Sequence, residues 1–166
     1  MRKGKIEITP NLFSIDKNIS KQKCISVITS RDEFEQFYLR DFKKIEELTN
    51  GRIKTKIGCY VFPEGAIITE DLSGISAPII SVGNLKCECI ITNYDIIVFG
   101  KIFASGIISS KTGIACYGGI FEKDIETPKL QVNLDTIIIQ GEKIIKKEII
   151  ASGKNNNKAE IIWLGE

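Results

Sequence analysis

The sequence predicts a mainly β protein: a single-stranded β-solenoid, or parallel β-helix, of about five short coils with an N-terminal strand-and-helix cap. Two observations carry this reading. Glycines at Gly65, Gly83, Gly100, Gly118 and Gly141 are separated by 18, 17, 18 and 23 residues, a near-constant period of the kind stacked repeats produce. The glycines also serve as a ruler for apolar columns. Four residues before them stand Val61, Ile79, Ile96, Ile114 and Ile137; two after the first four stand Ile67, Leu85, Ile102 and Ile120; seven after stand Leu72, Ile90, Ile107 and Ile125. These columns are expected to be core, because β-branched side chains suit a pleated surface buried on one face. A β-sandwich also spaces its turns evenly, but has no reason to repeat the same residue class at the same offset from each glycine.

The chain divides into a cap over residues 1–52, a solenoid over 53–141 and a closing hairpin over 142–166, all in one compact unit. In the cap, Lys5 to Thr9 and Cys24 to Thr29 read as strands outside the repeat. Ser30 to Leu48 reads as one helix. Ser30 and Glu33 form a capping box, Phe34, Phe37, Tyr38, Phe42, Ile45 and Leu48 follow a helical rhythm, and Asn50-Gly51 supplies the stop. This helix closes the first coil or lies along its flank. From Ile53 the repeat begins, with Pro63-Glu64-Gly65 as its first corner. The long interval after Gly118 predicts an outward loop at Asp124 to Lys129, centred on Thr127-Pro128. Beyond Gly141, Ile144 to Ser152 and Ala159 to Leu164 read as a closing hairpin around a polar KNNNK turn, with Trp163 in the core of that cap.

Two further columns bear on function. Phe62, Ile80, Ile97, Ala115 and Ile138 stand three residues before the glycines, and Val82, Phe99 and Tyr117 stand one before. Neighbours along a strand face opposite ways, so one of these sets is expected to point out of the coil as a continuous apolar flank. Another part of the chain or a second subunit must cover it. Phe62, Ile80, Ile97, Val82, Phe99 and Tyr117 are therefore the interface candidates, and Asp124, Thr127 and Lys129 are the loop candidates.

At 166 residues, 43% hydrophobic and 27% charged, the chain has the makings of one well-cored globular domain. A formal charge of +2 with mixed Lys, Glu and Asp gives no nucleic-acid signature. The opening MRKGKIEITPNL lacks a signal-peptide core and no transmembrane stretch is evident, so a cytoplasmic location is expected. Five cysteines, an odd number, favour reduced thiols. Cys87 and Cys89 in KCEC are a weak alternative as metal ligands, since zinc sites prefer wider gaps within a pair; burial as small apolar side chains is the simpler role.

The chain has no histidine, which removes Ser-His-Asp and Cys-His catalysis and histidine-ligated zinc. Carboxylates offer no replacement. Asp71 and Asp124 share a column three coils apart, roughly 14 Å at ~4.8 Å per coil, beyond the about 5–9.5 Å of a glycosidase pair. Neither a catalytic residue nor a cofactor is predicted.

The segment Ile96 to Phe121, IIVFGKIFASGIISSKTGIACYGGIF, resembles the bactofilins, bacterial polymer-forming proteins with a short-coil β-helix. The aliphatic-Gly-x-Ile rhythm and the Ser-Lys-Thr-Gly corner at Ser110 to Gly113 carry the resemblance, over Val61 to Ile139. It implies a non-enzymatic scaffold that self-associates without nucleotide. The structured segments expected at both ends depart from that family and favour lateral association through the apolar flank over end stacking. The expected function is thus a structural or interaction scaffold whose partner is itself or another protein. The alternatives are a saccharide or small-ligand binding module at the Asp124 loop and a carboxylate-dependent carbohydrate enzyme.

Overall fold

The structure, a computed structural model, describes residues 6–8, 25–133, 137–141, 143–151 and 161–163. It is a β-solenoid. Each coil contributes three short strands, and equivalent strands of successive coils pair in parallel. The first face stacks β5 (Cys59–Phe62), β8 (Ile79–Ser81), β11 (Ile96–Val98) and β14 (Ile114–Cys116). The second stacks β2 (Ser26–Ile28), β6 (Ala66–Ile68), β9 (Leu85–Cys87), β12 (Lys101–Ala104), β15 (Gly118–Phe121), β17 (Ile137–Ile139) and β19 (Ile161–Trp163). The third stacks β7 (Leu72–Ile75), β10 (Ile90–Thr92) and β13 (Ile108–Ser110). Strand β16 (Ile125–Val132) runs without a break from the third face to the first, pairing with β13 through Ile125 and with β14 through Leu130.

Inside the coil, alternation brings inward side chains from each face into a single core, including Ile79, Leu85, Ile90, Ile96, Ile102 and Ile108. The glycine ruler holds for the middle rows and slips elsewhere. Gly83 and Gly100 stack at one corner, where a Cβ on Gly100 would lie 2.7 Å from the Gly83 backbone, whereas Gly65 stands against Asn84, one residue on. Lys101, however, pairs with Gly118, so Gly118 stands one residue further on, and Gly141 sits at the next corner against Lys123 and Asp124. A one-residue slip turns a side chain to the opposite face. Tyr60, Ala66, Ile108 and Gly119 therefore take the inward positions expected for Val61, Ile67, Ile107 and Ile120. Ile137 belongs to the second face, opposite Gly119, and Leu130 takes its expected place beside Ile114.

The ends also differ from expectation. The predicted single helix is two: α1 (Arg31–Glu35) and α2 (Phe42–Leu48), separated by β3 (Tyr38–Leu39), which pairs antiparallel with β5. The division has a packing cause. Phe34 and Phe37 close the end of the inner core, with Phe34 stacked 4.1 Å from Tyr60, whereas Ile45 and Leu48 lie on the outside of the first face. One straight helix cannot reach both surfaces. Each helix has its own N-cap: Ser30 Oγ accepts from the Glu33 N–H at 3.2 Å, and Asp41 Oδ1 accepts from the Lys44 N–H at 3.0 Å. Strand β1 (Ile6–Ile8) pairs antiparallel with β4 (Ile53–Thr55), while β2 joins the solenoid itself.

At the other end the described residues form no closing hairpin. Strand β18 (Lys143–Ala151) pairs in parallel with β16, and β19 pairs in parallel with β17, so both add a further coil. The solenoid thus extends past residues 53–141 in both directions. Cys24 and the side chain of Trp163 lie outside the described residues.

Candidate interaction surface

The expected flank is present, and the chain covers it. Ile80 and Val82, like Ile97 and Phe99, are two residues apart and therefore share the outward side of the first face, so both predicted sets point out together. They form a second core with Val61, Cys59, Ile45 of α2 and Ile53 of β4, and all four are at most 1% exposed. Tyr117 lies half-buried at its margin. Phe62 belongs to the inner core, 5.0 Å from Phe37 and 6.0 Å from Phe34 between ring centroids, because β5 is displaced by one residue against the glycine ruler. None of these six is a free docking surface.

Arg52 fastens this cover. It is 1% exposed, its guanidinium lies 4.2 Å from the centroid of Phe99, Nε donates to the Thr49 carbonyl at 3.1 Å, and Nη1 donates to the Tyr117 hydroxyl at 3.4 Å. An arginine over an aromatic face keeps favourable electrostatics where water is excluded. Arg52 thereby ties the segment after α2 to the solenoid.

The predicted Asp124 to Lys129 loop is a strand. Residues Ile125 to Lys129 lie in β16, Thr127 is fully buried and Pro128 is half-buried. Thr127 Oγ1 donates to the Lys129 carbonyl at 3.0 Å and accepts from its N–H at 3.4 Å, holding the chain flat where earlier coils turn. Asp124 and Lys129 stand on either side of this buried hydroxyl along the chain. Asp71 and Asp124 precede Leu72 and Ile125, which are three rows apart on the third face.

Cys87 points into the core beside Ile68 and Ala104, while Cys89 lies beyond the corner, half-buried. Burial pushes the thiols of Cys59, Cys87 and Cys116 up to about 12, so they are neutral packing groups. Among the described residues no group of three His, Cys, Asp or Glu side chains is placed to hold a metal ion, and no helix is long and apolar enough to cross a membrane.

Two features escaped the sequence reading. The first is a column of buried hydroxyls, Thr92, Ser110 and Thr127, each two residues after an inward isoleucine. The triplets Ile-Ile-Thr, Ile-Ser-Ser and Ile-Glu-Thr were the available signal, because alternation turns the third residue inward. Thr92 and Ser110 close the corner to the first face, whereas Thr127 sits within the unbroken β16. Ser110 Oγ donates to the Tyr94 carbonyl at 2.7 Å and accepts from the N–H groups of Thr112 and Gly113 at 3.2 and 3.0 Å.

The second is an apolar row on the outside of the second face. In unbroken register it runs from Val27 through Ile67, Lys86, Phe103, Ile120 and Ile138 to Ile162. Val27 is 59% exposed, Lys86 is exposed, and the other five are half-buried. The row belongs to neither core. Six apolar members across seven paired strands, interrupted by Lys86, make a largely apolar row, unlike scattered surface hydrophobics. Glu88, Ser105, Glu122 and Gln140, all exposed, edge it two residues further along four of the strands. An apolar centre with a polar edge is the anatomy of an interaction surface.

No protein-family model matches the chain, and neither a curated protein nor a solved structure matches it.

Proposed function

We propose that the protein is a non-enzymatic interaction scaffold that presents the outer face of its seven-stranded sheet to a protein partner. The observation that carries this reading is the largely apolar row centred on Phe103, which no described residue covers, although the described chain covers the comparable flank around Phe99. Rigidity supports it. Every strand of this sheet is held by parallel pairing, and β2, β6, β9, β12, β15 and β17 each also by a packed core beneath, so the row is preorganised and loses little conformational entropy on docking. The resemblance of Ile96 to Phe121 to the bactofilins points the same way, towards a scaffold that associates with itself.

A concentration series by analytical ultracentrifugation, with electron microscopy of any large species, tests the proposal. Growth of the average mass with concentration, to a defined oligomer or a filament, is the expected result. A strict monomer throughout, with no change when Phe103 is replaced by Glu in any binding assay, would overturn it.

A further inference from the structure

Resting on that reading, we infer that the second face takes an amphipathic protein helix with a basic edge, laid along the stack over Phe103, Ile120 and Ile138. The sign follows from the two sides of the row. Past the row, each strand runs into the corner towards the third face, and successive corners read Thr69-Glu70-Asp71, Glu88-Cys89, Ser105-Gly106-Ile107 and Glu122-Lys123-Asp124. Five carboxylates stand there against one lysine. Glu88 and Glu122 border the row directly and are exposed; neither they nor Glu70 and Asp71 form an ion pair or hydrogen bond among the described residues. The opposite edge has no such excess, since Lys101 is exposed there two residues before Phe103, and Asn84 holds the same place before Lys86. A partner that meets this face is therefore apolar at its centre and cationic along the side that faces Glu88 and Glu122. Lys86, the one cation within the row, lies at the margin of the footprint, one strand before Phe103.

The spacing selects a helix. Strands lie ~4.8 Å apart and a helix advances about 5.4 Å per turn, so apolar residues at i, i+4 and i+7 stay within ~1 Å of step with Phe103, Ile120 and Ile138. Glu88 and Glu122 are two strands apart, ~10 Å, which is also the rise between two basic residues seven apart on one edge of a helix. The chain already uses this arrangement on its first face, where Ile45 of α2 shares an apolar cluster with Val61, Ile80 and Ile97, one residue from each of three successive coils. An apolar stripe set on an apolar surface, with charge at its border, is a common mode of helix recognition.

Fluorescence anisotropy with a labelled helix of about 18 residues, ~27 Å long and so able to lie along the whole sheet, tests this. The probe is built from Leu, Ala, Gln and Lys, with its lysines seven apart on one edge of the leucine stripe; a second peptide carries Glu at those positions. The wild-type chain should bind the Lys helix about tenfold more tightly than the Glu helix or better, with a preference that shrinks as salt rises. Glu88→Lys combined with Glu122→Lys should reverse the preference, and circular dichroism should show an unchanged fold because both positions are exposed. Equal binding of the two peptides by wild type, or a preference that survives the double exchange, would refute the basic edge. Binding of neither peptide would refute the helix as occupant, while the concentration series on the chain alone decides the scaffold reading separately. Phe103→Glu should abolish capture of the Lys helix; capture unaffected by that exchange would refute this face, and with it the reading on which the inference rests.

Discussion

Thr92 shows at the scale of one residue what the corners of this solenoid require. Its hydroxyl donates to the carbonyls of Ile75 and Ala77, at 3.1 and 3.0 Å, and accepts from the Tyr94 N–H at 3.2 Å. Removing a buried hydroxyl leaves such groups unsatisfied and costs about 1–3 kcal/mol each time. Thr92→Val should therefore lower the urea-unfolding free energy by about that amount, while Thr92→Ser, which keeps the hydroxyl, should lose less. The buried thiols make a second prediction. Cys59, Cys87 and Cys116 have folded pKa values raised from 9.0 to about 12, chiefly by desolvation. The folded state holds these protons more tightly, so stability is intact below pH 9 and falls as pH rises towards 12. The urea midpoint should drop between pH 9.0 and about 12, and Cys116→Ala should make that drop shallower. Of the three thiols only Cys87 was legible, as a small buried apolar side chain; Cys59, Cys116 and the hydroxyls were not, the hydroxyls because polar residues beside turns look like loop residues.

Among the elements, β15 and the α2–β4 cover carry the sharpest expectations. Gly119 has φ +142°, and a Cβ there would strike the carbonyl oxygen of Ile102 in the neighbouring strand. Gly119→Ala should prevent folding or reduce the soluble yield severely. Gly51, with φ +73° but no atom within 4 Å of a built Cβ, should tolerate alanine at a cost of about 1 kcal/mol. Ile97 supplies the contrast with the outer row. It is 1% exposed beneath α2 and β4, so Ile97→Ala should cost about 2–5 kcal/mol in a melt and leave any association constant unchanged. The rhythm of isoleucines and glycines was enough to read the coil, because each corner and each inward position recurs. It was not enough to fix register. Glu88-Cys89 turns one corner where Ser105-Gly106-Ile107 turns the next, and that single extra residue moves Ile107 out to 43% exposure and Ile108 in. Likewise Phe34 and Ile45 fit one helical stripe in sequence, yet pack on different surfaces, a fact set by the solenoid and not by the helix.

For the molecule as a whole, the two apolar outer faces have opposite fates. The flank around Ile97 and Phe99 is sealed by the chain's own cap and fastened by Arg52, whereas the row through Phe103 faces outward along the whole sheet. The end bearing α1 is guarded differently: Arg31 donates from Nη1 to the Ser73 carbonyl of β7 at 3.0 Å, occupying an edge that would otherwise template another strand. These features turn the proposed contact from the ends to the side. The flank was legible in sequence because its residues keep a fixed offset from the glycines. The row was hidden because the same offset assigned Ile67 and Ile120 to the core, when Ala66 and Gly119 take those places. The most direct test is the solution mass of Phe103→Glu beside the wild type, read by sedimentation equilibrium together with the melting temperature. The account predicts concentration-dependent association of the wild type and a Phe103→Glu monomer that melts within a few degrees of it, about what an outward exchange on a folded sheet allows. A Phe103→Glu protein that associates as the wild type does, or that unfolds, would contradict it.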